Sequence, residues 1–212
     1  MRSGWEDYAA ILLLIATIAV TGYGMSELSG KIAVHFNAAG QPDSYMSVVP
    51  GLLIAPVAGI LTLLLFHYLP RIDPLGENYE SFADLFDLLK MLIVGIFGYL
   101  QLMVVLWNLG YRYNPTSMVI PVVVSAYYLV GKTMEEAERN WFIGIRTPWT
   151  LSSERVWRQT HETAGPLMKL AAVISIGAFV FPEYSTYLFI GPVTVIAVFA
   201  FLYSYWLYRR EG

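Results

Sequence analysis

Between Arg139 and His161 the chain reads RNWFIGIRTPWTLSSERVWRQTH, a run of guanidinium, indole, amide and hydroxyl groups in a sequence otherwise dominated by Leu, Ile, Val and Phe. With Lys132 just upstream, this region holds five of the thirteen Lys and Arg residues and three Trp. Arg146, Arg155 and Arg158 offer planar forks that match a carboxylate or phosphate, and Trp149 and Trp157 carry indoles that favour a membrane interface. Together they could form a basic and aromatic collar at headgroup level. Arg139, Asn140, Trp141 and Thr147 add polar groups that merely anchoring a helix does not require. The stretch is therefore a candidate binding site for a ligand or partner. His161 could handle protons with Glu154 or Glu162, although a helix-surface pair would satisfy the same spacing.

A second concentration of chemistry lies in IAVHFNAAGQPDSYMS, where His35, Asn37 and Asp43 stand close in sequence. His35 and Asp43 face each other across an expected turn. A hydrogen bond locking that turn is the expectation, with a weak metal or acid–base pair as the alternative. His67, near Pro70, reads as an interfacial residue. HExxH, GxSxG, P-loop and GxGxxG patterns do not occur, and there is no Cys to supply a thiolate. We expect no catalytic residue, no metal site and no cofactor.

These side chains must be positioned by a membrane scaffold. Of the 212 residues 57% are hydrophobic and 14% charged, and the mean hydropathy is positive, a balance outside the soluble range. Apolar runs at 8–24, 48–69, 88–107, 117–131, 164–181 and 186–208 approach the length needed to cross a bilayer. The expected fold class is an all-α integral membrane protein with six transmembrane helices and a small structured extracytoplasmic loop. Cytoplasmic termini would put Arg2, Arg71, Lys90, Lys132, Arg139, Arg146, Arg155, Arg158, Arg209 and Arg210 inside and only Lys31 and Arg112 outside. That ten-to-two split orients the chain with both termini in the cytoplasm of a multi-pass cell-membrane protein. Glu6 and Asp7 precede the first run, which we read as a retained helix.

Residues 1–212 read as a single membrane domain. In the extracytoplasmic loop, 25–47, Ile32, Val34 and Phe36 alternate with Ala33, His35 and Asn37 as in a strand, and Gly40, Pro42 and Asp43 supply a turn. Phe82, Leu85, Phe86 and Leu89 recur at helical spacing and predict an amphipathic helix leading into the third run. In the cytoplasmic loop, 132–162, Glu135–Arg139, Glu154–Arg158 and Arg158–Glu162 are spaced for ion pairs one helical turn apart. Gly144 and Pro148 interrupt the helix, Ser152 is the expected cap of the next one, and Trp157 and His161 share a face. Lys169, near an inner edge, could pair with Glu162 seven residues earlier or snorkel its stem to the headgroups.

RNWFIGIRTPWTLSSERVWRQTHETAG closely resembles the signature of the SdpI family of multi-spanning membrane proteins. The loop with His35, Asn37, Gly40, Pro42, Asp43 and Tyr45 resembles the short domain of unknown function that commonly accompanies it, an x-P-x-H-x-N-x-x-G-x-P-D pattern in which Ala33 departs by standing where the family often has proline. The resemblance implies immunity to a secreted toxic peptide, and signalling by holding a cytosolic transcriptional regulator at the membrane. The expected partners are membrane lipids, a toxic peptide or envelope ligand outside and a regulator protein inside, with no direct nucleic acid contact. A membrane enzyme or transporter acting on a lipid or small amphiphile is the alternative.

Overall fold

The computed structural model describes residues 4–37 and 39–211; Arg2, counted above among the inside cations, lies outside them. The chain runs through α1 (Trp5–Glu27), β1 (Lys31–Phe36), β2 (Pro42–Ser47), α2 (Val48–Ile72), a 3-10 segment (Gly76–Phe82), α3 (Ala83–Asn108), α4 (Pro115–Glu136), a short α5 (Pro148–Ser152), α6 (Glu154–Ile176), 3-10 turns at Gly177–Phe179 and Pro182–Tyr184, and α7 (Ser185–Arg209). Five of the apolar runs fall within long helices, and the sixth, 164–181, begins in α6 and continues past its end at Ile176 through the 3-10 turn Gly177–Phe179. Five helical stretches are long and apolar enough to cross a membrane: Trp5–Glu27, Val48–Ile72, Gly76–Asn108, Pro115–Glu136 and Pro182–Arg209. The remaining run starts midway along α6, whose first half carries Glu154, Arg155, Arg158 and Glu162.

The chain divides into two compact units, Arg2–Phe66 with Asp87–Val119, and His67–Phe86 with Ile120–Gly212. In the first, α1, α2 and α3 meet through apolar side chains and a few polar clamps. Gln101, 3% exposed, donates its amide N–H groups to the Thr21 hydroxyl at 2.8 Å and the Leu52 carbonyl at 2.9 Å. Thr21 in turn donates to the Thr17 carbonyl one turn back. A polar group inside an apolar bundle is costly unless satisfied, so these bonds fix how the three helices face each other. Lys90 ties α1 to α3, its ammonium donating to Asp7 and, at 2.7 Å, to Asp87.

The expected loop after α1 is a two-stranded antiparallel hairpin pairing Lys31 with Ser47 and Ala33 with Tyr45. Strand β1 is where the alternation predicts it. Pro42 and Asp43, read above as turn residues, instead open β2. The edge of β1 is closed by Asn108 at the end of α3: its carbonyl oxygen accepts from the Ala33 N–H and its amide donates to the Ala33 carbonyl, both at 2.9 Å. That grip buries Ala33 as well as Ile32, so the burial does not follow strict alternation. Ile32, Val48, Leu52 and Val105 form the apolar cluster beneath the hairpin.

In the second unit α4, α6 and α7 pack around Ala164, Met168, Ala171, Ile196 and Ala200. Gly131 on α4 and Gly165 on α6 let two backbones nearly touch, since a Cβ on either would stand 2.6–2.7 Å from the other's carbonyl oxygen. Small residues at such a crossing are how apolar helices approach closely. Phe82, Leu85, Phe86 and Leu89 are all buried, as the predicted amphipathic face requires.

Candidate functional site

On the hairpin, His35 Nδ1 lies 2.6 Å from Asp43 Oδ1, with the two side chains 67% and 42% exposed. Asn37 builds the connection between the strands: its side-chain oxygen accepts from the N–H groups of Ala39 and Gln41, each at 3.0 Å. Gly40, at φ +72°, adopts the left-handed geometry that such a turn needs. Asn37 therefore shapes the turn, while His35, Asp43 and Tyr45 present polar and aromatic groups to the surroundings. Among the described residues no three His, Asp or Glu side chains converge as metal ligands.

The loop after α4 is held from several sides. Asn140 is fully buried; its Oδ1 accepts from Phe142 N–H at 3.0 Å and Ile143 N–H at 2.6 Å, and its amide donates to the Glu138 carbonyl. The Trp141 N–H donates to Asp73 Oδ2 at 2.8 Å, and Arg146 reaches back to the Trp141 carbonyl at 3.0 Å. Asn78 donates to the Arg139 carbonyl at 2.7 Å. Thr147 caps α5 in a reciprocal arrangement with Thr150, and its hydroxyl lies 3.1 Å from that of Ser204 on α7. Trp149 packs on Phe201 and Tyr205 of the same helix, with ring centres 5.0 and 4.9 Å away. A loop with this many backbone hydrogen bonds is a rigid platform, satisfied without a helix or a sheet.

His161 sits behind it, 1% exposed. Its ring stacks on Trp157 with centres 4.0 Å apart, the shared face that the spacing predicts. The Ile145 N–H donates to Nε2 at 2.8 Å. Nε2 is thus unprotonated, which leaves Nδ1–H to donate to the Trp157 carbonyl, also at 2.8 Å. Burial holds this imidazole down at a pKa of about 4. Both nitrogens of a neutral ring are occupied in fastening the loop, and His161 is not the helix-surface partner of Glu154 or Glu162 that the spacing suggested.

The local ion pairs are also redistributed. Helix α4 ends at Glu136, so Arg139 is off the helix; its guanidinium donates to Glu154 at 2.9 Å and to the Leu151 carbonyl. Glu135 pairs with Lys169 at 2.7 Å, in the place that the spacing offered to Glu162. Arg155 and the Ser153 hydroxyl both donate to Glu211 at 2.8 Å. Ser153 hydrogen bonding, with Arg155, holds that carboxyl below the usual carboxylate range. Ser153, and not Ser152, caps α6. Trp157 is 2% exposed and donates its indole N–H to the Ala137 carbonyl, so it cannot contribute an interfacial indole. Arg146, Arg155 and Arg158 remain exposed.

Sequence reasoning passed over Asp73. It is 6% exposed and gathers three donors: Leu75 N–H at 2.8 Å, Trp141 N–H at 2.8 Å and Tyr79 O–H at 3.0 Å. In RIDP it resembles an ordinary turn residue, and no local pattern announces a partner 68 positions away.

The apolar helices make the chain a multi-pass membrane protein. Its similarity is to the SdpI family: residues 136–204 match the SdpI/YfhL protein family and residues 12–60 match a domain of unknown function, DUF1648. The immunity protein SdpI of Bacillus subtilis (strain 168) is 28% identical over 172 residues, covering 80% of each chain. The matched regions contain the α4–α6 loop and the hairpin, the two stretches that carried the resemblance in the sequence. No solved structure matches the chain.

Proposed function

We propose that this chain is a membrane immunity protein with six spans and both termini in the cytoplasm. The hairpin meets a membrane-active toxic peptide or envelope ligand outside, and the α4–α6 loop meets a cytosolic regulator or lipid headgroups inside. The observation that carries the reading is the occurrence of both matched regions in one chain aligned along most of an immunity protein. The exposed His35–Asp43 pair beside exposed Tyr45 gives a peptide both hydrogen-bonding groups and an aromatic surface.

Six spans require α6 to cross as well, with Lys169 neutralised by Glu135 near one end. The ten-to-two distribution of basic residues supports the orientation. Expression in a sensitive host should raise survival under a secreted membrane-active peptide; an unchanged killing curve with the protein present in the membrane argues against immunity. Because the chain has no Cys, single cysteines at Ser44 and Ser152 report orientation cleanly. An impermeant thiol reagent should label Ser44→Cys in intact cells and reach Ser152→Cys only after lysis, and labelling of both from outside would overturn the topology.

A further inference from the structure

At the C-terminal end of α4 a cleft of about 570 Å³ opens against α6, lined by Met134, Glu135, Glu136, Ala137, Glu138 and Asn78 on one side and by residues from Glu154 to Glu162 on the other. That volume falls in the range of small-molecule sites, about 300–1,000 Å³. Three of its charges are already engaged: Glu135 with Lys169, Glu154 with Arg139, and Arg155 with Glu211. Arg158, Glu136, Glu138 and Glu162 line the cleft without an ion pair among the described residues. Arg158 and Glu162 are one turn apart on α6, which places their Cβ atoms about 5–6 Å apart on one face. The cleft thus offers a free guanidinium beside free carboxylates, with Met134 and Ala137 as apolar wall.

We propose that this cleft binds the headgroup of an aminophospholipid, phosphatidylethanolamine. Arg158 takes the phosphate through its planar fork, and Glu162 with Glu136 or Glu138 accepts the N–H donors of the primary ammonium. The combination discriminates among lipids. A purely anionic headgroup meets three uncompensated carboxylates. A choline headgroup has no N–H to donate and would depend on an aromatic cage, whereas the Trp157 and His161 rings are stacked on each other and buried. A lipid, as opposed to a free amine, is indicated by position: the cleft lies where the apolar stretch Pro115–Glu136 ends, the level at which headgroups sit. This binding stands whether or not the hairpin meets a toxic peptide.

The test is native mass spectrometry of the full chain in detergent, titrated with phosphatidylethanolamine, phosphatidylglycerol and phosphatidylcholine of matched acyl chains. Phosphatidylethanolamine should bind about tenfold or more tightly than either other lipid, a difference of about 1.4 kcal/mol. Arg158→Gln and Glu162→Gln should each abolish that preference, and Arg158→Lys should keep part of it. All three should leave the melting temperature unchanged, since both side chains are exposed and outside the ion-pair network. Equal binding of phosphatidylglycerol, equal binding of phosphatidylcholine, or a preference that survives both Gln substitutions overturns the proposal. Free phosphoethanolamine binding as tightly as the lipid would overturn the assignment to a lipid.

Discussion

Gly144 lies hard against the ring of His161: a Cβ on the glycine would stand 2.5 Å from Nε2 and 3.2 Å from the Trp157 ring. The same glycine has φ +108°, so both its backbone conformation and its lack of a side chain let the Ile145 N–H reach the imidazole. Gly144→Ala should destabilise the protein by about 2–4 kcal/mol, from left-handed strain plus displacement of a buried ring. Gly30 provides the comparison, with φ +73° and open space around it; Gly30→Ala should cost only about 1 kcal/mol of backbone strain. Thermal melts of the two variants in one detergent check the difference, and equal losses would refute the steric role of Gly144.

The neutral, buried His161 predicts a direction for the pH dependence. Unfolded, its imidazole takes a proton near pH 6.5; folded, it stays neutral until about 4. Its contribution to stability is therefore complete above pH 6.5 and is lost as pH falls through the interval to 4, amounting to about 3 kcal/mol at the acid end. His161→Gln should lower stability at neutral pH and flatten the slope between pH 6.5 and 4. Melting temperatures measured across that range distinguish the two profiles, and a slope unchanged by the substitution would assign the dependence elsewhere.

Asp73 holds the α4–α6 loop through the Trp141 N–H, so Asp73→Ala should loosen that loop. Alanine leaves the Trp141 and Leu75 N–H groups and the Tyr79 O–H without their acceptor, a loss of about 1–3 kcal/mol for each buried donor. Hydrogen exchange should accelerate at Trp141, Phe142 and Ile143 and stay near wild type in the β1–β2 hairpin. Uniform acceleration in both regions would mean that Asp73 supports the whole molecule and not this loop.

What could be read in the sequence follows the range of the interactions. Apolar runs place every long helix, and the alternation around Val34 places β1, because both depend on residues adjacent in sequence. The four-residue spacing of Trp157 and His161 also predicts their stack. The ion pairs came out differently because a helical spacing only permits a pair: α4 stops at Glu136, freeing Arg139 to reach Glu154, and the Gly131–Gly165 crossing brings Lys169 to Glu135. Asp73 and Asn108 were invisible for the same reason, since each satisfies backbone groups more than sixty positions away. The first half of α6 is a helix, as the spacing of Glu154, Arg158 and Glu162 predicts, and only its cap moves, from Ser152 to Ser153.

Immunity exercised through the hairpin can be measured as survival of a sensitive host expressing either the native chain or His35→Ala under a secreted membrane-active peptide, with membrane protein levels matched by immunoblot. The His35 side chain is exposed and, among the described residues, hydrogen-bonds to Asp43 alone, so its loss should leave insertion and abundance unchanged. The native chain should protect, and His35→Ala should fall to the empty-vector killing curve. Full protection by His35→Ala at equal abundance would contradict immunity through the hairpin.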